Sequence, residues 1–149
     1  MTSYRQIIYQ IIFRTKHSQK TLKADYRDQL YRYMWGIIKN KNCHLYRING
    51  MADHIHILSD IHPGIALADM VRDIKTASSV WLKSSTYFPD FSGWADGYAA
   101  LTYSYWDKDK LINYIKNQQE HHKTETFEAE YRRLLEEHNI HIDEWYFLK

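Results

Sequence analysis

The run Met51-Ala52-Asp53-His54-Ile55-His56-Ile57-Leu58 constrains the fold more than any other stretch of the chain. Its alternation is that of a β-strand, in which successive side chains point to opposite faces. His54 and His56 therefore share one face, and Ile55 and Ile57 take the other. Two imidazoles about 7 Å apart along a rigid strand can converge on one metal ion. The competing reading is a half-solvated strand with two incidental histidines.

The surrounding pattern sets that strand in a sheet. Tyr4 to Arg14, with Ile7, Ile8, Ile11, Ile12 and Phe13, reads as a first strand. Leu22 to Lys41 has helical spacing through Tyr26, Leu30, Tyr33, Met34, Ile37 and Ile38. Cys43 to Ile48 follows as a second strand, and Asn49-Gly50 is the strongest two-residue hairpin signal leading into the histidine strand. Ile65 to Lys83 is a second amphipathic helix, and Thr86 to Ala99 an aromatic loop. Leu101 to Trp106 alternates as a fourth strand, and Asp107 is set to cap a third helix running to about His122. Phe127, Tyr131, Leu134 and Leu135 mark a fourth helix before an aromatic tail. The order β-α-β-β-α-β-α predicts an α+β, ferredoxin-like (RRM-like) antiparallel sheet with helices packed on one face and a C-terminal helical tail. The open face would present His54 and His56. The expected organisation is one domain over 1–149, with a core at about 4–122 and a C-terminal helix and tail at 124–149.

Charge is unevenly spread. Residues 1–50 carry ten Lys/Arg against two Asp, a net +8, while residues 51–149 carry ten against sixteen acidic residues, a net −6. A basic third on a near-neutral protein is the electrostatic footprint of a phosphate-backbone binder. Thirteen tyrosines and five tryptophans could stack on unpaired bases, although most are expected in the core, Trp94 and Tyr98 among them. The lone Cys43 excludes an internal disulfide framework and a Cys-based zinc site. No run is long or apolar enough to span a bilayer and the N-terminus lacks a signal-peptide pattern, so the expectation is a cytoplasmic protein with no membrane partner.

Tyr114-Ile115-Lys116-Asn117-Gln118 adds a second set of functional groups. Residues four apart stack on one helix face, so Tyr114 and Gln118 project together. A phenol nucleophile, an amide oxygen and two imidazoles make a complete set for metal-assisted transesterification. Separately, Tyr114 would be read as a buried helix residue and Gln118 as a surface one. His121 and His122 are expected to favour the helix C-terminus electrostatically, with a ligand role the lesser alternative. A histidine-triad hydrolase would need a third histidine where Leu58 stands, and a His-x-His-x-Asp-His continuation fails at Leu58-Ser59.

His54-Ile55-His56 resembles the HUH motif of the single-tyrosine HUH endonucleases, and Tyr114 to Gln118 resembles their nucleophile helix. Phe91 to Ala100 is similar to the segment before the last strand in transposases of the smallest insertion sequences, and Asp69 to Lys75 to their second helix. The resemblance covers about residues 4–122. It implies a TnpA-like transposase that cleaves and rejoins single-stranded, hairpin-marked DNA. Tyr114 would attack a phosphodiester to give a 5′-phosphotyrosine and a free 3′-OH. His54, His56 and Gln118 would ligate a divalent metal, Mg²⁺ or Mn²⁺. A homodimer with active sites shared between subunits is the implied assembly. An unperturbed tyrosine is only about 0.1% phenolate at pH 7, a handicap of roughly 4 kcal/mol that charge neutralisation by a metal would offset. Arg14, Lys16, Lys20, Lys23 and Lys75 are the candidate DNA-backbone contacts. Two alternatives stay open: a domesticated hairpin-binding relative, and a non-catalytic ferredoxin-like nucleic-acid-binding module.

Overall fold

The computed structural model describes residues 2–149. Four strands, β1 (Ile8–Arg14), β2 (Leu45–Gly50), β3 (His54–Ser59) and β4 (Ala99–Tyr103), form one sheet in the order β2-β3-β1-β4. All neighbouring pairs are antiparallel. The helices are α1 (Arg27–Asn40), α2 (Leu67–Ser84), α3 (Lys108–Lys116), the single turn α4 (Gln118–His121) and α5 (Phe127–Glu137). The β1-α1-β2-β3-α2-β4 order on such a sheet is the ferredoxin-like plan expected from the sequence.

One face of the sheet is a conventional apolar core. Ile11 and Phe13 of β1 and Ile55 and Ile57 of β3 pack against Leu30, Met34 and Ile38 of α1 and Met70, Val71 and Ile74 of α2. The i, i+4 spacing of Leu30, Met34 and Ile38 lines one helical stripe. Each such side chain, fully buried, contributes about 1.5–3 kcal/mol relative to exposure.

The opposite face, expected to be open, is covered by the helices that follow β4. Ile8, Ile12, Leu58 and Leu101 also point to it, so leaving it bare would expose a row of aliphatic side chains. Leu111 and Ile115 of α3 cover Ile8 and Leu58, and Phe127 and Leu134 of α5 cover Ile12 and Leu101. The C-terminal segment is thus a layer of the fold, and its N-cap is explicit: Thr126 Oγ1 accepts from Ala129 N at 3.1 Å.

Two local expectations also change. Asn49 and Gly50 are not the hairpin turn; they pair with His56 and Ile55 as the last residues of β2, and the chain turns over Met51 to Asp53. Gly50 serves close approach instead, because a Cβ there would lie 2.2 Å from the His54 carbonyl oxygen. The helix expected to run from Asp107 to His122 is interrupted at Asn117, whose φ of −98° and ψ of 27° separate α3 from α4. Trp94 packs as expected: its ring meets Phe13 edge-on at 4.9 Å, and its indole N–H donates to Ser78 Oγ at 3.0 Å. Tyr98 remains partly exposed.

Candidate active site

β3 delivers His54 and His56 to the face covered by α3, α4 and α5, with ring centroids 5.1 Å apart. Both imidazoles are wholly buried, as are Gln118 and Glu130. Each histidine is held from behind. His54 Nδ1 lies 2.7 Å from Asp53 Oδ1, and His56 Nδ1 lies 2.8 Å from Gln10 Oε1. Gln10 is itself oriented, because its amide nitrogen donates to Tyr103 Oη at 2.8 Å. Every ring nitrogen of the two histidines faces an oxygen, Nδ1 the anchor behind it and Nε2 an oxygen of Gln118 or Glu130. With Nδ1 anchored, the inward Nε2 is the atom at which a metal could take the place of a proton.

The inward atoms meet a carboxylate that the sequence reading did not single out. Glu130, on α5, places Oε1 3.0 Å from His56 Nε2, 3.5 Å from His54 Nε2 and 3.1 Å from His122 Nε2. Gln118 Oε1 lies 3.1 Å from both His54 Nε2 and His122 Nε2, while its amide nitrogen donates to Glu130 Oε2 at 3.0 Å. His54, His122 and Glu130 each offer a ligand atom within 4.8 Å of the others, close enough to hold a metal ion together. His122 therefore belongs to the cluster rather than merely facing the helix end. Its eight-residue spacing from Tyr114 was a signal for this; Glu130 had none beyond its place in the apolar stripe of α5, where a charged residue needs a partner.

Tyr114 joins the same group. Its hydroxyl donates to Glu130 Oε2 and accepts from Arg133 Nη2 at 2.8 Å. Its ring centroid stands 6.3 Å from that of His56 in the same chain. Arg133 is in turn fixed by Glu125, at 2.9 and 3.0 Å. Tyr114 and Gln118 thus converge as predicted, although on either side of the break at Asn117.

The electrostatics follow from this packing. Burial alone would raise the Glu130 carboxyl, but His122, His54 and His56 outweigh it and hold the group far below the usual carboxylate range. Burial works against a charged His54, yet Asp53 and Glu130 bring its pKa above the ordinary value. For His56 burial prevails over Glu130, and its pKa falls. Burial and the neighbouring Glu130 push the Tyr114 phenol well up, with Arg133 opposing. As arranged, the phenol is a held proton donor, not a ready phenolate.

A cleft of about 640 Å³ opens beside the cluster, bordered by Lys20, Asp53, His122, Lys123 and Phe127 among others. Of the five candidate DNA contacts, Lys16, Lys20 and Lys23 are exposed. Arg14 is buried, donating to Ser18 Oγ at 3.0 Å and to the main-chain oxygen of Lys149. The Lys75 amine donates to the carbonyls of Ala95 and Gly97 at 2.9 and 2.6 Å. These two cations serve the fold where they stand. Among the described residues, no helix is long and apolar enough to cross a membrane.

Comparison with known proteins agrees with this architecture. A Deinococcus radiodurans protein assigned as a transposase superposes with a TM-score of 0.58 at 26% identity, over 79% of this chain and 95% of that one. A REP-associated tyrosine transposase solved with a REP hairpin superposes with a TM-score of 0.61 at 12% identity, over 82% of this chain and 74% of that one. No curated protein matches the sequence significantly. Residues 3–118 match the family described as transposase, IS200 like, and with most of its length inside that match the chain belongs to the IS200-like transposases.

Proposed function

We propose that this transposase cleaves and rejoins single-stranded DNA at hairpin-marked ends, with Tyr114 as nucleophile in a metal-assisted transesterification. The observation that carries the reading is the convergence of the Tyr114 hydroxyl, the Gln118 amide and the Nε2 atoms of His54 and His56 on one buried carboxylate. Hairpin recognition draws support from the solved relative bound to a REP hairpin.

The residues present suit a divalent ion. The Nε2 atoms of His54 and His56 face the oxygens of Gln118 and Glu130, an arrangement that a shared proton or a cation satisfies. His54, His56 and Gln118 would hold the ion, with Glu130 and His122 adjoining. When bound, it would neutralise charge on the scissile phosphate and stabilise the departing 3′ oxygen. Imidazole ligands favour Mn²⁺ and abundance favours Mg²⁺.

The remaining steps belong to the chain. Tyr114 attacks phosphorus, forming a phosphorus–oxygen bond as the bond to the 3′ oxygen breaks. The phenol gives up its proton as the bond forms and the departing 3′ oxygen takes one up, so the exchange is proton-neutral; Glu130 holds the hydroxyl in place and Arg133 stabilises the developing phenolate charge. Rejoining reverses the exchange with a second 3′-OH and consumes no water. Lys16, Lys20 and Lys23 are the proposed backbone contacts, Lys20 at the edge of the cleft.

Two ends require two nucleophiles, which a two-fold homodimer supplies from one gene. The contact of Tyr114 with Glu130 of its own chain favours a site completed within one subunit over the shared arrangement that the resemblance implies.

The test is a covalent-adduct assay on a single-stranded hairpin substrate. Tyr114→Phe should bind DNA and form no adduct, and chelation should silence the wild type until Mg²⁺ or Mn²⁺ is restored. An adduct with Tyr114→Phe, or full cleavage in chelator, overturns the proposal. Mixing Tyr114→Phe with His56→Ala chains should give no rescue; restored cleavage would show that sites are shared.

A further inference from the structure

Four donor atoms close a ring at the centre of the buried cluster. Going round it, His54 Nε2 to Gln118 Oε1 is 3.1 Å, Gln118 Oε1 to His122 Nε2 is 3.1 Å, His122 Nε2 to Glu130 Oε1 is 3.1 Å, and Glu130 Oε1 back to His54 Nε2 is 3.5 Å. Neighbouring ligands of an octahedral ion of the Mg²⁺ or Mn²⁺ class stand about 3 Å apart, given metal–oxygen distances near 2.1 Å. The ring therefore has the spacing of a coordination sphere. His56 Nε2 touches it only at the Glu130 corner, at 3.0 Å.

Charge points the same way. Asp53 supports His54 at 2.7 Å, and Glu130 supplies the second carboxylate. Two anions at one site, Glu130 buried and Asp53 at the cleft edge, match one divalent cation, whereas the neutral Gln118 and two imidazoles alone leave it uncompensated. Both Glu130 and His122 lie outside residues 3–118, the span that matches the family.

We propose that Glu130 and His122 are ligands of the divalent ion, completing a ring with His54 and Gln118, so that α5 is fastened over the site by the metal itself. His56, already placed among the ligands above, meets this ring at its Glu130 corner. The same carboxylate holds the Tyr114 hydroxyl through its other oxygen, so ion and nucleophile are positioned by one side chain. The inference rests on the metal-dependent reading above but adds a ligand pair from the C-terminal segment.

Titration calorimetry of the full chain with Mn²⁺ alone tests it without reference to cleavage. Glu130→Gln and His122→Ala should each weaken Mn²⁺ binding at least tenfold. In the wild type, Mn²⁺ should slow amide hydrogen exchange across 127–137, a readout that stands even where a variant fails to fold. Wild-type affinity in either variant, or unaltered exchange in 127–137, overturns the proposal. His54→Ala separates the two levels. If it loses Mn²⁺ while Glu130→Gln and His122→Ala retain it, the ion is held without α5; if all three retain it, the metal-dependent reading fails as well.

Discussion

The two faces of the sheet are built from the same strands by different physics. Toward α1 and α2 the contacts are aliphatic and aromatic, non-directional, and tolerant of any side chain of suitable volume. Toward α3, α4 and α5 the apolar clusters are smaller and surround a buried network of imidazoles, amides and a carboxylate that works only with every partner in place. The first face supplies stability and the second spends part of it on preorganisation. A buried carboxylate such as Glu130 is costly if a single partner is lost.

That contrast can be broken in order of expected effect. His54→Ala should reduce single-strand cleavage at least 1,000-fold, roughly 4 kcal/mol of barrier, while the chain still folds; cleavage within tenfold of wild type would remove His54 from the chemistry. Ile57→Ala, three residues along and on the other face, should cost about 2–5 kcal/mol of stability in urea denaturation. Cleavage per folded molecule should stay within about twofold, and a selective loss of cleavage would mean that the faces are coupled. Gly50→Ala tests the seam between them, since the added Cβ meets the His54 carbonyl and the backbone must shift. About 1–3 kcal/mol of destabilisation is expected, with weakened Mn²⁺ binding; an unchanged denaturation midpoint would show the hairpin to be more pliant than its geometry implies. The smallest effect is at the surface. Lys16→Glu with Lys20→Glu should leave stability within about 0.5 kcal/mol and flatten the salt dependence of DNA binding by about one unit of slope per lost phosphate contact. An unaltered slope would move the DNA path elsewhere.

Much of the fold was legible because period-two and helical patterns survive in single residues. Ile55 and Ile57 against His54 and His56 announced both the strand and its two faces. The covered second face was less visible, although Ile8 and Ile12 beside Ile11 and Phe13 meant that β1 was apolar on both sides. Asn49-Gly50 misled because a turn dipeptide is read from local preference, whereas here tertiary contacts override it. Asn49 spends its side-chain amide on α3, and Gly50 is required by backbone proximity. Of the site, the groups on regular elements were readable: the histidines from alternation, and Tyr114 and Gln118 from four-residue spacing. Glu130 was harder to read, because one acidic residue among several in α5 looks like solvent-facing charge, and only its place in the stripe of Phe127 and Leu134 sets it apart. Arg14 and Lys75 show the reverse: cations in sequence whose charges are taken up inside the chain.

One further contact bears on how the nucleophile moves. The Asn49 amide donates to the carbonyls of Ile115 and Lys116 at 3.0 and 3.1 Å, and Asn49 pairs across the sheet with His56. The end of the tyrosine helix is therefore pinned to the histidine strand by a side chain that also belongs to the neighbouring strand. On the proposed reading the phenol would be an anvil and not a swinging arm, with the DNA strand brought to it instead of the reverse. If the proposed function holds, positioning the strand would draw on binding energy from the rest of the DNA, so tight binding of the hairpin would be a precondition of cutting its single-stranded flank.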